Sequence, residues 1–366
     1  MFGSRECYRG VRINGRQELQ NKPALREKLM ETKTTQPSVL VISPYYKRKE
    51  SVERTLKSIS EQTYDNFIAL IWDDGSNDGT YEELCRVQEV LQDDRIKIVG
   101  YDKNIGLTKG LNRAIESCEA DFIAVVGSGD ICKPRRLELQ VKALLANPEA
   151  VFCATAAICE DEVTGRLFYD ESFDKAIVEQ ADIVSVVPFT HGSVMYRRSA
   201  INQVGLYEEV FKWCADWDMF FRLLEVGSAV YLSDVLYHRF ATTDGVSFNP
   251  KKSLEQISYK YLAKSLQMVT DDERELRVLK ARENLEVYLK PYEKLMCGDL
   301  VKRQIKLSLM GRGEASSELR ILINENFKVP IKLRLFMVVA LYVGMIPFDT
   351  NTLVNGARSL ARVMKF

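Results

Sequence analysis

The sequence predicts an α/β fold: a mostly parallel sheet with helices on both faces, followed by a mostly helical C-terminal region. Three observations predict it. Short, nearly continuous apolar runs recur at 38–43, 67–72, 95–99 and 122–126, as strands buried on both faces require. The segments between them carry apolar residues at helical spacing. Polar, acidic and glycine residues collect just beyond the carboxyl end of each run, where open α/β sheets bind ligands.

Taken in order, Ser38–Ser43 reads as the first strand, and Val52, Leu56 and Ile59 then mark one face of a helix. Phe67–Trp72 is the second strand. Thr80 and Glu83 fit a capping box opening a helix with Leu84, Val87 and Leu91 inward. Arg95–Val99 is the third strand, and Leu107, Leu111, Ile115 and Cys118 line the third helix. Phe122–Val126 is the fourth strand, and Pro134 suits the first turn of a helix burying Leu137, Val141 and Leu144. Beyond Val151 strand-like pieces at 151–159, 193–196, 229–232 and 235–240 surround one helix that starts near Asp216, buries Trp217, Phe220, Phe221 and Leu224, and ends at Gly227. Residues 250–366 read as helical and charged, with two or three amphipathic helices over 253–310. The expected organisation is a polar N-terminal extension at 1–37, with a helix between Pro23 and Thr32, an α/β domain at 38–249 and a helical accessory domain at 250–366.

The totals exclude several classes. A chain of 366 residues fits two domains, at about 100–200 residues each. Lys plus Arg and Asp plus Glu both number 51, so bulk nucleic-acid binding is not expected. The 8 cysteines include no Cys-x-x-Cys pair and read as reduced, buried thiols of a cytoplasmic protein. With only 2 histidines a multi-histidine metal site is excluded. The longest uncharged run, Leu335–Phe348, is shorter than the ~20 residues a spanning helix needs.

Five polar stretches carry the chemistry. Ser43-Pro44-Tyr45-Tyr46 ends the first strand and Asp73-Asp74-Gly75-Ser76-Asn77-Asp78-Gly79-Thr80 follows the second. Lys103-Asn104-Ile105-Gly106, with Asn112 further on, opens the third helix, where backbone N–H groups suit a phosphate or ribose. Gly127-Ser128-Gly129-Asp130 follows the fourth strand, and Asp216 and Asp218 lie at the start of the later helix. Carboxylates at strand ends can accept hydrogen bonds from a base or a ribose hydroxyl. The plainer alternatives are turn formation by the Asp-Gly sequences and N-capping by Asp216.

This order of motifs, over roughly residues 38 to 245, resembles the family 2 glycosyltransferases, inverting enzymes with the GT-A fold that use sugar nucleotides. The resemblance implies that Pro44, Tyr45, Asp73 and above all Asp74 border the base pocket. It places Lys103, Asn104, Gly106, Asn112 and Ser128 at the nucleotide as well. In the family's Asp-x-Asp-Asp cluster carboxylates hold Mg2+ or Mn2+ against the diphosphate; here Asp130 remains, with glycine at 127 and 129. Asp216 takes the place of the inverting base, and Asp218 a supporting one. His191, in a segment lining the acceptor side, and His238 and Arg239 are implied as donor or acceptor contacts, with the loop 241–247 closing over the diphosphate. No Gln-x-x-Arg-Trp follows Asp216, which favours transfer of a single sugar.

The expected function is transfer of a sugar from a nucleotide-sugar donor to a hydroxyl of a saccharide or lipid-linked saccharide, in surface polysaccharide or glycan assembly. A nucleotidyltransferase is one alternative, but no glycine-rich lysine loop follows the first strand. A non-catalytic sugar-nucleotide-binding subunit is the other, supported by Gly127 and Gly129 and opposed by Asp216. Cations at 328, 332, 334, 358, 362 and 365 flank the apolar run near the end. Residues 328–366 are therefore a candidate for peripheral contact with the inner face of a membrane, the alternative being packing inside the helical domain or a dimer interface.

Overall fold

The computed structural model describes residues 11–13, 36–169, 173–184, 187–242 and 249–344. The chain divides into two compact units, Met1–Phe240 and Ala241–Phe366.

The first unit is built on one sheet of eleven strands. In chain order they are β1 (Val11–Ile13), β2 (Val39–Tyr45), β3 (Phe67–Asp73), β4 (Ile96–Tyr101), β5 (Phe122–Val125), β6 (Ile131–Cys132), β7 (Ala150–Asp161), β8 (Leu167–Tyr169), β9 (Ile177–Val178), β10 (Met195–Arg197) and β11 (Ser228–Ala241). The order across the sheet is β1-β4-β3-β2-β5-β10-β7-β11-β6. The first five of these are parallel. Their register sets Tyr45, Asp73 and Gly100 in one row, which gathers the polar carboxyl ends on one edge. β10 then runs antiparallel to both β5 and β7.

β6 pairs with β11, with Tyr237 opposite Cys132. Only residues 126–130 link β5 to β6, and they turn tightly, with the Asp130 amide donating to the Gly127 carbonyl at 3.1 Å. So short a link between strands set apart in the order requires the sheet to curl. It brings the end of β11 against the loop after β5.

Both faces of the parallel half are covered, as its unbroken apolar strands demand. On one face Val39, Val41, Ala69, Ile71 and Ala124 pack with helix α1 (Val52–Ser60), helix α2 (Thr80–Leu91) and helix α4 (Arg136–Ala146). On the other, helix α3 (Leu107–Glu116) lies over Trp72 so closely that a Cβ on Gly110 would stand 2.6 Å from the indole Nε1. Helix α5 (Gln180–Ile183), helix α6 (Arg198–Val204) and helix α7 (Ala215–Val226) belong to the second half. Arg136 is wholly buried and ties α4 to both sheet halves through the carbonyls of Val125 and Val194, at 3.0 and 3.3 Å.

The second unit is helical, comprising Pro250–Ser265, Asp271–Glu283, Leu285–Leu289, Glu293–Leu309, Gly313–Asn326 and Ile331–Gly344. Leu300, Val301, Leu319, Ile323 and Met337 are buried in it. A buried polar knot joins three of its helices, with Gln304 Nε2 reaching the Met337 carbonyl of the third at 3.4 Å. Gln304 Nε2 donates to Ser316 Oγ at 2.7 Å, and Ser308 and Ser316 share a hydroxyl bond of 2.6 Å. No disulfide joins the described cysteines, and no described helix is long and apolar enough to cross a membrane.

Several sequence expectations change. Part of the polar N-terminal extension is a strand: Val11–Ile13 pairs in parallel with β4, whose outer edge is otherwise open. The helix expected between Pro23 and Thr32 lies outside the described residues. The capping box at Thr80 is absent, because Gly79 is the N-cap and Asp78 Oδ1 accepts from the Thr80 amide at 3.1 Å. The two strand pieces near 229–240 are one strand, β11. Leu107 is exposed, since the helix it opens presents Leu111 and Ile115 inward.

The loops after β3 and β4 are locked together by one side chain. Asp74 Oδ1 accepts from the Ile105 amide at 2.8 Å and Oδ2 from the Gly106 amide at 3.0 Å. Gly75, at φ 72°, lies so close that a Cβ there would be 2.6 Å from the Asn104 nitrogen. Asp74→Ala strands two amides, a loss of about 1–3 kcal/mol. Its melting temperature should fall by several degrees, while Asp74→Asn, which retains one acceptor, should fall less. Equal melting temperatures for both variants and the parent chain would refute the latch.

Candidate active site

The carboxyl edge of the parallel strands carries a set of side chains with distinct duties. Asp73 ends β3 and is almost fully buried; its Oδ2 accepts from the Ser76 amide at 2.9 Å, while its Oδ1 is buried without a partner. Burial pushes its carboxyl pKa up, against the opposing hydrogen bonds from Ser76. Burial does the same to Asp74, against the amides of Ile105 and Gly106. The pair is therefore unequal. Asp74 accepts the two amides of the loop latch, whereas Asp73 leaves one buried oxygen unpaired. The loop that carries them is cross-tied to the segment after β2. The Lys47 amide donates to Ser76 Oγ at 2.8 Å and the Arg48 amide to Thr80 Oγ1 at 3.1 Å.

Pro44 is partly exposed at this edge, but Tyr45 is not a wall of it. Its ring is fully buried in the core and its hydroxyl lies beside Thr55 and the backbone of Gly129. Strand alternation is the reason: Tyr45 shares a face with Val39 and Val41. Tyr46, at 45% exposure, presents its ring instead, and the motif offered no signal to choose between the two. Lys103 and Asn104 are exposed at the turn into α3, and Gly106 holds φ 89° there. Asn112 is turned away from any phosphate. Its amide clamps Tyr207, accepting from that residue's N–H at 3.0 Å and donating to its carbonyl at 2.8 Å.

The loop after β5 is organised by Tyr237 of β11. The Tyr237 hydroxyl donates to Asp130 Oδ2 at 2.6 Å and accepts from the Gly127 amide at 2.8 Å. Asp130 Oδ1 accepts from the Phe240 amide at 3.0 Å. Burial raises the Asp130 pKa, against Tyr237, Phe240 and the Arg239 charge. A Cβ at Gly127 would come within 2.4 Å of Asp130 Oδ2. Ser128 is partly exposed on the same loop.

For the expectation that Asp130 anchors a divalent ion, the site offers a single acid, each of whose oxygens already accepts one hydrogen bond from the protein. The other two acid positions are glycine, and no group of three His, Cys, Asp or Glu side chains suited to a metal occurs among the described residues. Asp130 is also the joint between this loop and the end of β11.

On the second half of the unit, Asp216 stands partly exposed in the first turn of α7, where the helix dipole favours a carboxylate. Asp218, one step further, is buried and ion-paired with Arg222 at 3.0 Å. Arg222 in turn binds the carbonyls of Val204 and Leu206 at 2.7 and 2.9 Å, so Asp218 serves the fold. The Asp216 charge reaches a row of buried rings. His191 Nε2 lies 2.8 Å from the Tyr207 hydroxyl, which donates to Tyr196 at 3.2 Å. Burial lowers the His191 pKa and Asp216 counters it. The Tyr207 segment is held from α3 by Asn112 and by Thr108 Oγ1, which donates to the Phe211 carbonyl at 2.6 Å.

His238 and Arg239 follow Tyr237 on β11. His238 Nε2 lies 3.0 Å from Glu160 Oε2 and its ring stacks on Phe240 with centroids 4.4 Å apart. Burial lowers its pKa, against the Glu160 charge. Most of the loop expected to close over the diphosphate, residues 243–248, lies outside the described residues. Tyr237 and Tyr207 went unrecognised from sequence because their partners lie about 100 positions away.

Comparison with known proteins gives these features a family. The family described as Glycosyl transferase family 2 matches residues 40–205. The amylovoran biosynthesis glycosyltransferase AmsE of Erwinia amylovora is 30% identical over 215 residues, covering 57% of this chain and 77% of that protein. Among solved structures, S. aureus TarS 1-349 in complex with UDP-GlcNAc superposes with a TM-score of 0.52 at 17% identity, over 83% of this chain and 87% of that one. The mannosyltransferase PcManGT from Pyrobaculum calidifontis, in complex with GDP-Man and Mn2+, also gives a TM-score of 0.52 at 17% identity, over 87% and 86%. The curled α/β sheet is thus that of the GT-A glycosyltransferases, and the chain belongs to glycosyl transferase family 2 and is itself a glycosyltransferase.

Proposed function

We propose that the chain moves one sugar per encounter, with inversion, from a nucleotide-sugar donor to a hydroxyl of a saccharide or lipid-linked saccharide, in polysaccharide assembly. The observation that carries the mechanism is the division of labour at the start of α7. Asp218 is consumed by Arg222, while Asp216, two residues away, keeps a partly exposed carboxylate. A carboxylate so placed can take the proton of the acceptor hydroxyl as its oxygen attacks the anomeric carbon. The bond from that carbon to the diphosphate breaks in the same displacement, and the nucleoside diphosphate leaves. At the donor end the unpaired, buried Oδ1 of Asp73 is the acceptor assigned to a base or ribose donor, and Tyr46, Lys103 and Asn104 are exposed on the neighbouring loops. Support for a sugar nucleotide comes from the family and from the two solved relatives of the fold, whose complexes hold UDP-GlcNAc and GDP-Man. The absence of a Gln-x-x-Arg-Trp segment after Asp216 supports single transfer.

Asp216→Asn keeps the shape of the side chain and removes the base. With donor and acceptor both present, kcat should fall about 100- to 10,000-fold, with donor affinity by calorimetry within a factor of about two. Near-normal kcat in this variant would sink the mechanism and return the site to a binding role.

For the acceptor, the last described helix, Ile331–Gly344, supports a lipid-borne one. Met337 and Ala340 are buried, but Ile331, Leu335 and Val339 are 76%, 62% and 56% exposed along one face. Lys328 precedes the helix and Arg334 is exposed on it. An apolar face edged by cations suits an anionic membrane surface; residues 345–366 of the expected contact lie outside the described residues. The chain should sediment with anionic vesicles at low salt and much less at high salt, and Leu335→Asp should abolish this with the melting temperature unchanged. Failure to sediment at low salt would remove the membrane from the proposal.

A further inference from the structure

The loop between β5 and β6 lacks the acids to hold an ion, and the room beside it is already filled by a cation. Arg54 of α1 donates from Nε to the Gly129 carbonyl. A Cβ built on Gly129 would stand 3.0 Å from a terminal nitrogen of Arg54, with Ser51 equally close, and Gly129 itself holds φ +90°. The guanidinium carbon lies 3.8 Å from the centroid of the Phe240 ring. One terminal nitrogen reaches Glu162 Oε1 at 2.5 Å, and the two side chains remain 29% and 31% exposed. Backbone, ring and loop therefore fix a permanently charged fork beside a glycine position that the resemblance would have filled with an acid.

We propose that Arg54 is a phosphate-binding residue: it supplies the positive charge that meets the donor's diphosphate, in place of a divalent ion held by acids at 127 and 129. This rests on the reading of the chain as a sugar-nucleotide-dependent transferase. The chemistry matches. A guanidinium binds phosphate oxygens bidentately and stays charged at any relevant pH. Nε stays on Gly129 while the outer edge turns to the ligand. Glu162 is the resident counter-ion. A solvent-exposed pair of this kind is weak, so a diphosphate, with its greater charge, can displace the carboxylate. The leaving nucleoside diphosphate is then stabilised by a preorganised donor rather than by an ion. Gly129 is required for this, because any side chain there would meet Arg54.

The test is calorimetric titration of the full chain with UDP, GDP, ADP and CDP, in EDTA and in excess Mn2+ or Mg2+. At least one diphosphate should bind in EDTA with an affinity within about threefold of that with metal. Arg54→Gln should weaken it about tenfold or more, the loss of a charge-assisted hydrogen bond, and leave the affinity for the matching nucleoside unchanged. Glu162→Gln should act in the opposite direction, tightening the diphosphate by releasing Arg54, a sign that a merely structural pair would not produce. The proposal is overturned, with the donor reading intact, if a diphosphate binds only with metal or if Arg54→Gln and Glu162→Gln leave its affinity unchanged. If no diphosphate binds under any condition, the donor reading and the proposal fall together. Melting temperatures of both variants identify a folding defect in Arg54→Gln, in which case the Glu162→Gln direction decides.

Discussion

The Tyr237 hydroxyl is the constraint on which the donor edge depends. It donates to Asp130 and accepts from the Gly127 amide, and its ring lies under the Arg136 guanidinium at 5.0 Å. Burial, reinforced by the Asp130 charge, drives its pKa far above the usual phenol range, so it remains a donor. One side chain thus joins the loop after β5, the end of β11 and the buried arginine that spans the two sheet halves. Its presence also dictates its neighbours. A Cβ on Gly192 would come 2.1 Å from the Tyr237 hydroxyl, and one on Gly127 would press into Asp130. Glycine at 127 is therefore a packing requirement of the joint, as well as the loss of an acid.

The second joint is carboxylate-made. Asp74 holds the turn into α3 against the loop after β3, while Asp73 binds the Ser76 amide and leaves its buried Oδ1 unpaired. Adjacent aspartates with equal chemistry so acquire different roles from their surroundings. The same division recurs at α7, where Asp218 is neutralised by Arg222 and Asp216 is left to the surface. At α7 the buried Asp218 orders, through Arg222, the backbone beside Asp216, whereas Asp73 and Asp74 are both buried and each binds backbone amides.

Electrostatics on the donor edge follow from this architecture. With no acid at 127 or 129, the loop is left with little negative charge of its own, because Asp130 is turned inward. Arg54 and the basic stretch Lys47-Arg48-Lys49 lie on the segments that border it. The protein offers a divalent ion one carboxylate here, and that carboxylate also holds a phenol and an amide. A guanidinium needs only a ring and a carbonyl to be held, and both Phe240 and Gly129 are supplied by the elements that Tyr237 brings together.

By itself the sequence determined the parallel α/β half: β2–β5 lie where the apolar runs at 38–43, 67–72, 95–99 and 122–126 put them. It also determined the polar segments at their carboxyl ends and the helix carrying Asp216, because these signals are local in period and composition. It resolved less where the determinant is non-local. The strand at Val11–Ile13 exists through pairing with β4, and β11 is continuous through its neighbours rather than its own alternation. Only the tertiary structure decided which acid of each pair is free, that Tyr45 turns inward, that Asn112 clamps Tyr207, and that Asp130 faces Tyr237. Asp74, Asn112 and Asp130 depend on partners some 30 to 110 positions away, whereas Asp218 is taken by Arg222 four positions on and Tyr45 follows the alternation of its strand. A linear motif specifies which groups can bond, but burial and distance in the folded chain determine which of them remain available to a ligand.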